Sequence, residues 1–205
     1  MRIKHDTQHS IIIGKSEFIC YLHRCTTEDE ARAFIAQIKK KHYDATHCCT
    51  AFVCGDQDMI QRCSDDGEPS GTAGIPMLNA LKQNQIHDCC ACVVRYFGGI
   101  KLGGGGLIRA YTKSVSECLH QTPKTQLIPM DIYTFSFPYD WVNQLDYGLA
   151  NLGTVLNKHY EIEVTYILQT NHPDFLKNFT ELTQGKIIPI FLEHRLVEED
   201  IPHHN

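Results

Sequence analysis

The sequence predicts an α+β protein of two domains, residues 1–128 and 129–205. Three observations predict it. Between Gln121 and Asp131 runs "QTPKTQLIPMD", whose Pro123 and Pro129 stop a helix and favour extended chain, as a linker requires. Composition changes at the same place. All ten cysteines lie between Cys20 and Cys118, and 15 Lys and Arg face 13 Asp and Glu over residues 1–128, against 4 and 11 over 129–205. Beyond the linker the hydrophobic pattern reads in the order βαββαβ, the ferredoxin-like split βαβ arrangement.

Each element has its own signal. "HSIIIGKSEFICYLHRC" reads as extended segments broken at Gly14. "TEDEARAFIAQIKKKH" is a helix: Thr27 caps it, three acids fill its first turn, Ala31, Phe34, Ile35 and Ile38 form its apolar face, and three lysines end it on the favourable side of the dipole. "HCCTAFVC" and "DMIQRCS" are strands, and "IPMLNALKQN" is a helix with proline in its first turn. "HDCCACVVRYF" is a buried strand, followed by a helix from near Leu107 with Leu107, Ile108, Tyr111, Val115, Cys118 and Leu119 on one face. The second domain supplies "DIYTFSFPY", helix "DWVNQLDYGLANLG", strands "TVLNKHYE" and "EVTYILQT", helix "HPDFLKNFTELTQ" and strand "KIIPIFLEH".

Bulk properties narrow the function classes. An apolar fraction of 42% and a charged fraction of 21% are ordinary for a folded soluble chain. No apolar run is long enough to span a bilayer, and the first residues carry no signal-peptide core, so a cytoplasmic protein without membrane partners is expected. In that reducing setting the cysteines are expected as buried free thiols, since several sit in apolar runs and no metal-ligand spacing is legible among the histidines. The acidic second domain is a poor partner for phosphates, so any nucleic acid is expected on the first.

Two glycine-rich stretches carry the candidate chemistry: "SDDGEPSGTAGIP", Ser64–Pro76, and "RYFGGIKLGGGGLIRAY", Arg95–Tyr111. Each leads directly into a helix, where free N–H groups and the positive dipole end suit anions. Neither matches GxGxxG or GxxxxGK[ST], so no nucleotide cofactor is expected. Arg95, Lys101, Arg109 and Lys113 bring positive charge, and Tyr96 and Phe97 bring stacking surfaces, as single-stranded nucleic acid sites do. Gly98 to Gly106 is expected as a tight loop that lines one shallow anion-accepting face together with Gly71–Gly74. The competing reading is that the glycines only let the helix pack closely on the sheet. Asp65, Asp66 and Glu68 have three readings: a hairpin turn, a lock pairing with Arg95 or Arg109, or a magnesium site. No catalytic nucleophile arrangement is legible, and His47 opens a strand.

"ATHCC", "SDDGEPSGTAGIP" and "VVRYFGGIKLGGGGLIRAY", in this order across residues 15–120, resemble the core signature of the YigZ/IMPACT family. The resemblance implies a ribosomal-protein-S-five domain-two-like first domain and a second domain similar to the last domain of elongation factor G. Eukaryotic members of the family are linked to translational control through a ribosome-associated protein, and the elongation-factor-like domain pair suggests ribosome or RNA contact, so an RNA or a ribosome-associated protein is the expected partner. The motif carries over His47, Asp65, Asp66, Glu68, Arg95, Tyr96, Lys101, Gly103, Gly104, Arg109 and Tyr111 as a binding surface. One departure is Cys48, where the family has asparagine after this histidine. Two functions therefore stand side by side. One is a noncatalytic binding protein using the glycine-loop face. The other is an enzyme acting on a phosphorylated small molecule with magnesium, as the GHMP-type kinases that resemble the first-domain fold do.

Overall fold

A computed structural model describes residues 1–202. The chain forms two compact units, Met1–Gln126 with residues 200–202, and Leu127–Glu199. In order, the elements are β1 (Arg2–Ile3), β2 (Thr7–Ile13), β3 (Ser16–Arg24), α1 (Glu28–Lys41), β4 (His47–Cys54), β5 (Ile60–Ser64), α2 (Gly74–Gln83), β6 (Cys89–Tyr96) and α3 (Gly103–Gln121). β7 (Lys124–Phe137), α4 (Val142–Gly148), β8 (Thr154–Tyr160), β9 (Val164–Thr170), α5 (Phe175–Thr183) and β10 (Ile190–Asp200) follow. Among the described residues this is a mixed α and β protein with two five-stranded sheets.

The first sheet is antiparallel in the order β2-β3-β6-β4-β5. Side chains alternate across it, so the two faces have separate cores. Cys49, Ala51 and Val53 of β4 and Cys89, Ala91 and Val93 of β6 pack with Met77 and Leu81 of α2 and Leu107, Tyr111 and Val115 of α3. Cys48, Phe52, Cys90, Cys92 and Val94 face the other way, onto Ala31 and Ile38 of α1. Fully burying one large apolar side chain contributes roughly 1.5–3 kcal/mol, so these two layers carry the unit. Nine of the ten cysteines are buried free thiols within it, and Cys63 is exposed.

α1 is terminated by chemistry legible in its sequence. Thr27 and Glu30 form a reciprocal capping box, and Lys39–Lys41 occupy the last turn. α3 differs from expectation. It begins at Gly103, four residues before Leu107, because Gly104–Gly106 continue the helical backbone after Gly103 at φ +69°; Ile108 is exposed, not part of the apolar face. The proline segment also differs. It is extended, but as the start of β7, one strand that pairs with β1 at Lys124–Thr125 and with β9 from Asp131. Pro129, which has no N–H to offer, falls between those two paired stretches.

The second unit has the expected element order. β7 pairs with β9, β9 with β8, and β10 also with β7. On β9, Val164, Tyr166, Leu168 and Thr170 alternate inward onto Phe135, Phe137, Phe175 and Phe179. Two details were not anticipated: the expected first helix is a short α4 flanked by 3-10 turns, and β10 starts at Ile190, just past Pro189, and runs to Asp200. Among the described residues no helix is long and apolar enough to cross a membrane.

Thr27→Ala removes the side-chain half of the capping box. It should lower stability by about 1 kcal/mol, read as a fall in melting temperature, with the fold unchanged by circular dichroism.

Candidate functional site: a cleft beside the glycine-rich start of a helix

The site is built from the edge of the first sheet inward. His47 opens β4 and Arg95 nearly closes β6, and the register places them directly opposite each other. Both share the face covered by α2 and α3. Arg95 is 5% exposed, a charge deep enough to demand a partner. Glu68, from the loop before α2, supplies it: its Oε1 accepts from Arg95 Nη1 at 2.6 Å and from the Tyr111 hydroxyl of α3 at 2.8 Å. Three distant segments therefore meet on one carboxylate oxygen. Burial, then the neighbouring Cys49, pushes the Tyr111 hydroxyl far up, so it stays a donor, and burial pushes the Cys49 thiol up to about 12.

Asp65 has a separate task. Its carboxylate accepts from the amides of Gly71 at 2.8 Å, Ala73 at 3.0 Å and Gly74 at 2.8 Å. Burial opposes its charge, but these amides outweigh burial and hold the carboxyl below its ordinary range. Gly74 must be glycine, since a Cβ there would lie 2.8 Å from the Ser64 backbone nitrogen. Asp66 points elsewhere, to Lys39 Nζ at 2.6 Å and the Cys48 amide at 2.7 Å, which together overcome its burial and lower its pKa.

The three carboxylates thus diverge, and the magnesium reading is corrected. Among the described residues no group of three or more His, Cys, Asp or Glu is placed to hold a metal ion. The lock between the two glycine stretches is present as Glu68–Arg95. The shared anion-accepting face is corrected too: the anion at Gly71–Gly74 is the chain's own Asp65.

The other glycine stretch is open. Thr46, His47, Glu68, Pro69, Arg95, Phe97, Lys101, Leu102, Gly103, Gly104 and Leu107 line a cleft of about 450 Å³, within the range of small-ligand sites. Its rim is the N-terminus of α3, where no side chain caps the helix. The first-turn amides of any helix lack an intrahelical acceptor. Gly103 has φ +69°, which a side chain would strain, whereas a Cβ on Gly104 would meet only Thr72 Cγ2 at 3.9 Å. Close packing therefore does not explain Gly104. It does explain Gly98, where a Cβ would fall 1.8 Å from the Lys15 carbonyl oxygen.

His47, Glu68, Arg95, Lys101, Gly103 and Gly104 come together in this cleft, and Tyr111 lies beneath it. Tyr96 does not join them. Strand alternation turns it to the α1 face, where its hydroxyl contacts His42 Nδ1 at 2.9 Å and Asp44 at 3.1 Å. Arg109 and Lys113, on an exposed face of α3, are not among the cleft residues. A Cβ on Gly105 would lie 3.6 Å from Arg109 Nη1, and Lys113 lies 3.5 Å from Glu117. Gly71 borders a separate hollow with Ile75, Ile108 and Thr112. Sequence reasoning missed Ser16, a buried hydroxyl that accepts from the Gly98 amide at 3.2 Å and lies 3.4 Å from Arg95 Nη2. No local signal links residues so far apart along the chain.

Gly98→Ala should cost about 1–3 kcal/mol through overpacking, while Gly104→Ala should leave the melting temperature unchanged or raise it, since alanine favours a helix by up to about 1 kcal/mol. Thermal denaturation of the two variants distinguishes them. Asp65→Asn should lower stability by about 1–3 kcal/mol at neutral pH. Because the folded carboxyl titrates below its unfolded value, the wild-type advantage is full above about pH 4 and shrinks as pH falls further, which denaturant titrations across pH would record.

Comparison with known proteins supports the same motifs. Residues 14–119 match the Impact N-terminal domain. A Bacillus subtilis (strain 168) protein named IMPACT family member YvyE is 48% identical over 188 residues, 90% of this chain and 87% of that one. IMPACT family member YigZ of Escherichia coli (strain K12) is 39% identical over 152 residues, covering 73% of this chain and 74% of the relative. A crystal structure described only as a hypothetical protein aligns with a TM-score of 0.58 and 32% identity over 93% of this chain and 96% of its own. Both glycine-rich stretches that build the cleft lie inside the matched domain, and the chain belongs to the IMPACT family.

Proposed function

We propose that this chain is a noncatalytic binding protein linked to translation, which takes a single-stranded RNA segment into the cleft of its first unit. The observation that carries the reading is the uncapped start of α3 at Gly103 and Gly104, open to solvent beside exposed Lys101. A helix N-terminus with a lysine at its edge attracts phosphate. Phe97, 47% exposed with the Arg95 guanidinium 5.4 Å from its ring centre, offers a stacking surface on the same cleft. The translation link rests on the family, whose eukaryotic members act in translational control; a ribosome-associated RNA is the partner class this favours. We read the first unit as the ribosomal-protein-S-five domain-two-like fold and the second as ferredoxin-like, the latter supported by the neighbour order β10-β7-β9-β8.

Titration of a labelled single-stranded RNA should give binding that weakens with salt. Lys101→Ala should lower affinity and flatten the log–log salt slope by about 0.7, the share of one phosphate contact on a single strand. Lys113→Ala, outside the cleft, should change neither. RNA binding indifferent to Lys101 would overturn the proposal.

A further inference from the structure

The cleft contains two hydrogen-bond acceptors that the chain itself leaves unused. Glu68 has a side chain only 3% exposed, and its Oε1 is committed to Arg95 and Tyr111. Its Oε2 forms no hydrogen bond among the described residues; the nearest polar partner, His47 Nε2, lies at 3.8 Å, beyond hydrogen-bond reach. The His47 Nδ1 sits 2.8 Å from the Asp66 carbonyl oxygen, which can only accept, so Nδ1 carries a proton, and the tautomer protonated there alone presents a lone pair at Nε2. The ring is held in this pose by Gly67, at φ +87°, where a Cβ would come within 3.3 Å of Nδ1. Two acceptors therefore stand side by side in the cleft wall, one on a buried carboxylate.

Glu68 Oε2 faces the cleft without a donor from the chain, and beside His47 Nε2 it suits a ligand with two adjacent donors. Hydroxyls on neighbouring ring carbons meet this demand, one donating to Glu68 Oε2 and the other to His47 Nε2. The same cleft carries the cationic rim of Gly103, Gly104 and Lys101, suited to a phosphate. We propose that Glu68 and His47 recognise the free 2′,3′-diol of a terminal ribose whose 5′-phosphate lies at the start of α3. On the reading that the cleft takes RNA, on which this inference rests, the ligand is an RNA 3′ end. A free ribonucleoside monophosphate presents the same chemistry.

The test uses the full chain and one short RNA sequence with four 3′ termini: a free diol, a 2′-deoxy residue, a 3′-phosphate, and a diol cleaved by periodate. The free diol should bind about tenfold or more tighter than the other three, the value of a hydrogen bond to a charged acceptor. His47→Ala should shrink that preference, while Lys101→Ala should weaken all four alike. Equal binding of the four termini would overturn the inference and leave RNA binding standing, as would a preference that His47→Ala leaves intact. Diol-dependent binding of ribonucleoside monophosphates without binding of the oligomers would uphold the inference and overturn RNA as the ligand. Absence of binding by every probe would overturn both. Because the termini are varied on the RNA, the comparison holds even where a protein variant fails to fold.

Discussion

Arg95 is the constraint on which the cleft depends. A guanidinium on the inward face of a strand has to be neutralised, and the side chain that does so must come from outside the sheet. Glu68 meets it, and in doing so draws the loop before α2 over the end of β6. Tyr111 then reaches the same oxygen from α3, so the position of that helix is set by the carboxylate as well as by its apolar face. Removing Glu68 would leave both the Arg95 Nη1 and the Tyr111 hydroxyl without this buried acceptor.

The two glycine-rich stretches were alike on paper and are opposite in the fold. Both precede helices, and both expose backbone amides. At α2 the sequence carries its own anion, Asp65, six residues before the first amide it accepts from. At α3 the nearest acid in sequence is Asp88 on one side and Glu117 on the other, and no side chain caps the helix. Carboxylates at equivalent distance would have closed both ends; one end is closed and the other faces the cleft.

Much of this was legible before any coordinates. Elements with strong local signals, such as α1 with its capping box and the alternating β9, appear where periodicity and caps place them. The pairing of the acidic cluster Asp65, Asp66 and Glu68 with Arg95 or Arg109 is one of the three roles the sequence allows, and Glu68–Arg95 is the pair that forms. What escaped was decided across the sheet or by glycine itself. Tyr96 and Arg95 are neighbours in sequence and lie on opposite faces, a consequence of strand alternation that spacing to Phe97 and Lys101 obscured. The start of α3 was misplaced because four glycines look like loop, while the free amides at their head and the apolar face behind them permit helix. Arg109 and Lys113, well placed on a one-dimensional reading, stand outside the cleft.

Glycine content alone could not separate these roles, and geometry does. Gly98 is required because the Lys15 carbonyl occupies the place of its Cβ, and Gly103 because its φ is positive. Neither reason reaches Gly104 or Gly105. Their Cβ positions are open or touch only side-chain ends, and in a helix each glycine sacrifices up to about 1 kcal/mol relative to alanine. With sterics and torsion set aside, the remaining property is a bare backbone whose first-turn amides nothing covers. A methyl group on Gly104 would not disturb the fold, yet it would stand at the mouth of the cleft, between those amides and whatever approaches them. Of the two glycines that the fold does not require, Gly104 is the one that lines the cleft.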